Sequence, residues 1–143
     1  MSDTEKAVSE FLTRNGYVYN VTNHGERNLD GWQCDAWLCR FTKQGGQEEF
    51  EFYTGIGHRT KPKADWMKPR AVAPPAASVL HSIILDSRAI GQSFESWCAD
   101  FGYDTDSRKA ESVYRECQQN ADKLARVFSR ADIAALENML QDY

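Results

Sequence analysis

Apolar residues at the start of the chain recur three and four positions apart, which is the spacing of one face of a helix. The members of this face are Ala7, Val8, Phe11 and Leu12. Ser2 and Glu5 stand in the Ser-x-x-Glu order of a capping box, and Asn15 and Gly16 follow the last apolar pair. The pattern therefore predicts a short amphipathic helix that begins after Ser2 and ends before Gly16.

The hydrophobic pattern then changes to a period of two, which is typical of strands. Three such segments occur, at residues 17–22, 32–42 and 48–53. Residues 23–31 are polar and indicate a loop, residues 43–47 indicate a turn, and the Gly-Ile-Gly-His sequence at 55–58 indicates the exit from the last strand. Together these segments predict a three-stranded antiparallel meander.

Helical spacing returns after the last prolines, and it predicts further helices in the C-terminal part of the chain. Pro75 is suited to the first position of a helix that Gly91 closes. Ser93 is expected to cap a short helix over residues 94–101, and Gly102 stands where a left-handed residue ends a helix.

Two more helices follow that short one. Asp104 or Asp106 is expected to cap a long helix over residues 107–128, and Ser129 caps the last helix. The predicted class is therefore α+β: an N-terminal helix and a three-stranded antiparallel meander, a proline-rich basic loop, and a helical half of three to four helices. The expected division is 1–58, 59–75 and 76–143, within one compact domain.

The segment 59–75 differs from its surroundings in composition and charge. It contains four prolines and five Lys or Arg against a single Asp, so the formal charge runs −4, +4 and −4 along the three segments. Its cations could contact phosphates and its tryptophan could stack on a base, or the same tryptophan could anchor a protein interface. The candidate contact residues are Arg59, Lys61, Lys63, Trp66, Lys68 and Arg70.

Clusters of carboxylates form a second candidate surface. Glu48, Glu49 and Glu51 lie on one predicted hairpin, and a second group lies at the junction between two predicted helices. The members of that group are Asp100, Asp104 and Asp106. Carboxylates so arranged could imitate phosphates in the basic groove of a protein that handles nucleic acid, whereas the simpler interpretation is a solvated acidic face.

The sequence carries no pattern that specifies a reaction. Cys34 and Cys39 are five apart on a strand and point to opposite faces, while Cys98 and Cys117 fall on apolar helix faces. We therefore expect the thiols to be free and buried. We expect no metal, no cofactor and no catalytic residue, and hence a protein that is not an enzyme. No apolar run has the length of a membrane span, and the expected location is the cytoplasm of a bacterial host.

The helix junction also carries a resemblance. The sequence Phe-x-x-Trp-Cys-x-x-Phe-Gly-Tyr-Asp-x-Asp-Ser-Arg-Lys-Ala-Glu spans residues 94–111, and Tyr114 and Cys117 follow it. Together with residues 31–37 and 52–62, it resembles a family of small bacteriophage and prophage accessory proteins. The resemblance implies a phage accessory gene, a setting in which small proteins inhibit host defence, including anti-CRISPR action, or assist phage DNA metabolism.

Two functions follow as expectations. The first is a non-catalytic accessory protein that binds and inhibits a host defence complex, for example a CRISPR effector, by protein contact. The alternative is a DNA- or RNA-binding helper of phage replication or recombination that uses residues 59–70. The expected partners are a host protein complex or nucleic acid, with no membrane, and exposed aromatic side chains leave a homo-oligomer open.

Overall fold

A computed structural model describes the backbone of residues 2–29, 32–58 and 73–143 and the side chains of residues 2–23, 37–52 and 73–143. In these ranges an N-terminal helix precedes three strands and a helical C-terminal part, which confirms the predicted α+β class. The helices are α1 (Asp3–Arg14), α2 (Ala76–His81), α3 (Phe94–Phe101), α4 (Arg108–Val127) and α5 (Arg130–Leu140). The strands are β1 (Tyr17–Leu29), β2 (Trp32–Lys43) and β3 (Glu49–His58).

The predicted capping box at the start of α1 is confirmed. The Ser2 hydroxyl accepts a hydrogen bond from the Glu5 backbone N–H at 3.2 Å, and the Glu5 carboxylate accepts one from the Ser2 N–H at 3.3 Å. At the other end the helix stops at Asn15, and Gly16 follows with φ of 77°. Glycine adopts this left-handed conformation without strain, so the chain turns directly from α1 into β1.

The three strands pair in the order β1-β2-β3, and both pairs are antiparallel. Tyr19 lies opposite Phe41, which lies opposite Phe50, so one face of the sheet carries an aromatic row. We call this side the inner face. The opposite, outer face carries Val18, Asn20, Thr22, Arg40, Thr42, Glu49 and Glu51, because successive residues of a strand alternate between faces.

Two loop predictions in this region are wrong. Residues 23–29 of the predicted polar loop belong to β1, with a register shift between Asn23 and Gly25, and only residues 30–31 of that loop lie outside the described residues. The predicted strand exit at 55–58 is part of β3, in which Gly55 and Gly57 pair with β2. Strand pairing uses backbone N–H and C=O groups. Polar residues and glycines, which have low strand propensity, can therefore still pair here.

The main core lies between the inner face of the sheet and the helices. Phe41 and Phe50 have no exposed surface, and they pack in one cluster with Leu80, Leu124 and Leu136 from three different helices. The cluster therefore includes side chains from before and after the predicted basic loop. Of that loop, residues 59–72 lie outside the described residues.

The predicted end of the helix that starts near Pro75 is wrong. After α2 the backbone continues as a π-helical turn over Ser82–Asp86 and does not reach Gly91. The Ser87 hydroxyl donates to the Ile83 carbonyl, and the Ser87 carbonyl accepts a hydrogen bond from the Trp97 indole N–H at 2.7 Å. Because side chains occupy these carbonyls, the helical ladder stops, and Arg88 adopts a left-handed φ of 48°.

Tyr17 connects the start of β1 to the last two helices. Its ring stacks on Phe128 with 4.3 Å between centroids, and its hydroxyl donates to the Asp132 carboxylate at 2.5 Å. The same hydroxyl accepts a hydrogen bond from the Ser129 N–H at 3.4 Å. Burial raises the pKa of Tyr17 above its ordinary value near 10, and the hydrogen bond to Asp132 raises it further.

We predict that the protein loses stability in alkali through Tyr17. A folded-state pKa above the unfolded value means that this stabilisation is complete below pH 10 and is lost as pH rises through the folded pKa. Tyr17→Phe should lower the free energy of unfolding at pH 7 by about 1 kcal/mol and make its decline above about pH 10 shallower. Urea unfolding across this pH range measures both effects.

Tyr143→Phe is the matched control, because it removes the same hydroxyl group from a tyrosine that is 39% exposed and should lower the free energy of unfolding at pH 7 less than Tyr17→Phe does. Burial also raises the pKa of Tyr19, so part of the decline should remain in Tyr17→Phe. An alkaline decline equal in Tyr17→Phe and the parent would contradict the assignment.

Candidate functional site

The candidate site is the junction between α3 and α4, within the sequence motif of residues 94–111. The Ser93 hydroxyl caps α3 by accepting from the Ser96 N–H at 3.2 Å, as predicted. The predicted left-handed end at Gly102 is also confirmed, with φ of 72°. The Tyr103 N–H then bonds the Cys98 carbonyl at 2.9 Å, so the chain turns sharply out of the helix.

Aromatic packing holds this junction in place. Trp97 is 1% exposed and stacks on Tyr103, with 5.3 Å between ring centroids and planes 3° apart. Its neighbours in the same small cluster include Phe94 and Tyr114. The Tyr114 hydroxyl donates to the Gln92 carbonyl at 2.8 Å, which connects α4 to the segment before α3. The junction therefore has a core of its own beside the main core.

The predicted carboxylate cap of the long helix is wrong. The cap of α4 is Ser107, whose hydroxyl accepts a hydrogen bond from the Ala110 N–H at 3.2 Å. Asp104 instead supplies a backbone carbonyl to the Ser107 N–H at 3.1 Å. Within the described part of the chain, the carboxylates of Asp104 and Asp106 have neither a hydrogen bond nor an ion pair, and both residues are exposed. These two carboxylates are therefore available to bind another molecule.

An exposed aromatic ring precedes these carboxylates in the chain. Phe101 is 40% exposed, and its inner side packs on Trp97 with 5.0 Å between ring centroids. The Arg88 guanidinium lies 5.8 Å from the Phe101 centroid and 4.0 Å from the Asp100 carboxylate. We call Asp100, Phe101, Asp104 and Asp106 the junction surface.

A polar cleft of about 500 Å³ continues from Asp100 toward α5. The polar side chains that line it are His81, Asp86, Arg88, Gln92, Asp100, Glu137 and Gln141. The side-chain amide N–H of Gln92 donates to Asp100 at 2.6 Å, while the side-chain amide oxygen of Gln92 is shielded and has no hydrogen-bond partner among the described residues. With three carboxylates and one arginine the cleft extends the acidic character of the junction surface. Sequence reasoning missed it because its members come from distant positions and share no motif.

An arginine pairs with two of the three carboxylates predicted on the hairpin. Glu49 and Glu51 flank Arg40 on the outer face, at 3.6 Å and 2.8 Å from its side-chain nitrogens, and all three side chains are about half exposed. Glu48 lies in the turn before β3 and is exposed. Arg40 offsets part of the acidic charge, so this group is a weaker mimic of phosphate than the sequence indicated.

The basic residues predicted as contacts lie outside the described residues. They are Arg59, Lys61, Lys63, Trp66, Lys68 and Arg70. Their role stays a prediction from the sequence.

The thiols of the described part are free. Cys39 and Cys98 are buried and Cys117 is partly buried, and burial raises the pKa of all three above the ordinary value for a thiol. They are therefore protonated at neutral pH and poor nucleophiles there. Across the same described part, no group of three or more His, Cys, Asp and Glu side chains is placed to hold a metal ion.

The chain was compared with known proteins at three levels. No protein-family model, curated protein or solved structure matches it. None of the described helices combines the length and apolarity needed to cross a bilayer.

We predict that Ser107, and not its acidic neighbours, stabilises the start of α4. Ser107→Ala should lower the free energy of unfolding by about 1 kcal/mol, because the Ala110 N–H loses its acceptor. Asp104→Asn is the matched control and should change stability by less than half as much. Chemical denaturation of both variants measures the difference, and a larger loss in Asp104→Asn would contradict the assignment.

Proposed function

We propose that this protein is a non-catalytic accessory protein of phage origin that binds a host defence complex in the bacterial cytoplasm and inhibits it by protein contact. The observation that carries the proposal is the junction surface. Asp104 and Asp106, whose carboxylates have no hydrogen bond or ion pair among the described residues, and the partly exposed Phe101 belong to one short connection that has its own aromatic core.

The chemistry of the junction surface supports a basic partner. Exposed carboxylates attract Lys and Arg side chains, speed their approach and exclude acidic competitors. Phe101 adds an exposed aromatic contact, and aromatic residues are enriched in protein interfaces. A protein that binds nucleic acid neutralises phosphates with Lys and Arg side chains, and a rigid acidic surface can compete for the groove that carries them.

The stacking beneath the junction surface supports tight binding. Trp97 and Tyr103 fix the positions of Phe101 and of the turn that carries Asp104, so little conformational entropy is lost when a partner docks. The hairpin carboxylates of Glu49 and Glu51 already pair with Arg40, so they are less available to a partner. They provide a matched control surface on the same molecule.

We predict that the junction surface is needed to capture the host target. The tagged protein should recover a defined complex from bacterial lysate both with and without nuclease treatment. The triple variant Phe101→Ala, Asp104→Asn, Asp106→Asn should reduce that recovery about tenfold, which is the effect of losing one interface hot spot. Glu49→Gln, Glu51→Gln should leave recovery unchanged.

Mass spectrometry identifies the target, and the purified target then gives the affinity of each variant. Equal recovery by the parent and the triple variant would contradict the assignment of the site. Recovery that disappears with nuclease would contradict direct protein contact and would favour nucleic-acid binding.

The alternative function is a DNA- or RNA-binding helper of phage replication or recombination. The charge of residues 59–75, which is +4 between two segments of −4, supports this alternative. Arg and Lys side chains bind phosphates largely by releasing counterions, so affinity should fall steeply as salt increases.

We predict for this alternative that replacing Lys61, Lys63, Lys68 and Arg70 by Ser makes the salt dependence of binding shallower. The slope of log affinity against log salt should decrease by about one for each phosphate that the variant no longer neutralises. The matched control replaces four exposed cations of α4 by Ser, namely Arg108, Arg115, Lys123 and Arg126. Fluorescence anisotropy with labelled single-stranded DNA measures the slopes, and equal slopes in both variants would contradict the assignment.

A further inference from the structure

The polar cleft beside the π-helical turn is bordered by three departures from regular structure. The turn itself, Ser82–Asp86, contributes Asp86 to the lining. Arg88 adopts its left-handed φ of 48° there, and Gln92 carries the shielded amide oxygen without a partner among the described residues. Features of this kind cost free energy and concentrate at functional sites. The cleft is therefore a candidate binding site.

The amide group of Gln92 indicates what such a site would bind. Its N–H donates to Asp100 at 2.6 Å, which fixes which end of the amide is the oxygen. That oxygen exposes less than 1 Å² and accepts no hydrogen bond from the described residues. A shielded acceptor without a donor is unfavourable, and a ligand that brings N–H donors into the cleft removes this cost.

The charge of the cleft favours a cation. The carboxylates of Asp86, Asp100 and Glu137 face a single arginine, Arg88. Asp86 pairs with His81 at 3.4 Å, whereas Glu137 has neither a hydrogen bond nor an ion pair among the described residues. These carboxylates are not placed to hold a metal ion together. An organic cation whose charge and donors are spread over several atoms suits a cleft of about 500 Å³ better.

Arg88 shows how a guanidinium fits at the Asp100 end of the cleft. Its guanidinium lies 4.0 Å from the Asp100 carboxylate and 5.8 Å from the centroid of the exposed Phe101 ring. A guanidinium is planar, donates to carboxylate and amide oxygens at once, and stacks on aromatic rings. An ammonium is compact and strongly hydrated, and it lacks this geometry. Because the Arg88 side chain is 60% exposed, it can move aside without disturbing the core.

We propose that the polar cleft binds a guanidinium cation. Asp100 and Glu137 are its carboxylate acceptors, and Arg88 is an internal guanidinium that competes for Asp100. The ligand is either a free small molecule or the arginine side chain of a protein, and the two share this chemistry. The proposal concerns the cleft alone and does not require that a host complex be captured.

The test is a titration of the isotope-labelled full chain with agmatine and with cadaverine, followed by NMR. Both molecules carry two positive charges on a short alkyl chain, but only agmatine has a guanidinium. We expect agmatine to bind with a Kd of about 1 mM and to shift the side-chain amide signals of Gln92. Cadaverine should bind about tenfold more weakly, because it cannot donate to two acceptors from one plane.

Variants of the carboxylates locate the binding site. Asp100→Asn, Glu137→Gln should weaken agmatine binding about tenfold, since both charges that attract the cation are removed. Glu10→Gln, Glu116→Gln is the matched control, because it removes the same charge from exposed positions of α1 and α4. It should leave the affinity unchanged. The dispersion of each NMR spectrum establishes that the variant is folded.

A variant of Arg88 should act in the opposite direction. Arg88→Gly removes the competing guanidinium and accepts the left-handed φ without strain, so agmatine should bind about threefold more tightly. Arg126→Ala removes an equal charge from an exposed position of α4 and should have no effect.

A third probe, the blocked peptide acetyl-Gly-Arg-Gly-amide, distinguishes the two sources of the guanidinium. Binding as tight as that of agmatine would support an arginine side chain of a protein, and binding of agmatine alone would support a free small molecule. Binding of neither guanidinium probe, or equal affinity for agmatine and cadaverine, would overturn the proposal. Equal affinities of the two carboxylate variants would overturn the placement in the cleft.

Discussion

The aromatic contact between Phe128 and the inner face of the sheet is the constraint on which the main packing depends. Phe128 ends α4, and its ring stacks on Tyr17 and meets Phe41 edge-on, with 5.6 Å between the last two centroids. One side chain thereby fixes where α4 stops and where α5 begins over the sheet. Tyr17 adds the hydrogen bonds to Ser129 and Asp132 at the start of α5, so the turn between these helices is held against β1.

The junction between α3 and α4 is a separate unit attached to this core. Trp97 and Tyr114 give it an aromatic centre and also connect it, by hydrogen bonds to Ser87 and Gln92, to the segment that follows the π-helical turn. The hydrogen bond from the Trp97 indole to the Ser87 carbonyl therefore contributes both to the end of the helical segment and to the position of the junction. Because its own core holds the junction, Phe101 and its acidic neighbours need not contribute to folding and are available for binding.

Charged side chains are distributed unevenly over the surface of the molecule. On the sheet, Arg40 pairs with Glu49 and Glu51 and offsets part of their negative charge. At the junction and the polar cleft, acidic side chains outnumber Arg88. A basic partner is therefore attracted to the helical end of the molecule more than to the sheet.

The sequence by itself determined the class of the fold and most element starts, because hydrophobic period and capping residues act locally. Ser2, Ser93, Gly102 and Ser129 have the roles that their neighbours in the sequence predict. The tertiary structure alone decided the lengths of β1 and β3 and the helix end before Arg88. These depend on which distant backbone or side-chain group takes each hydrogen bond, and that choice is made only when the elements pack together.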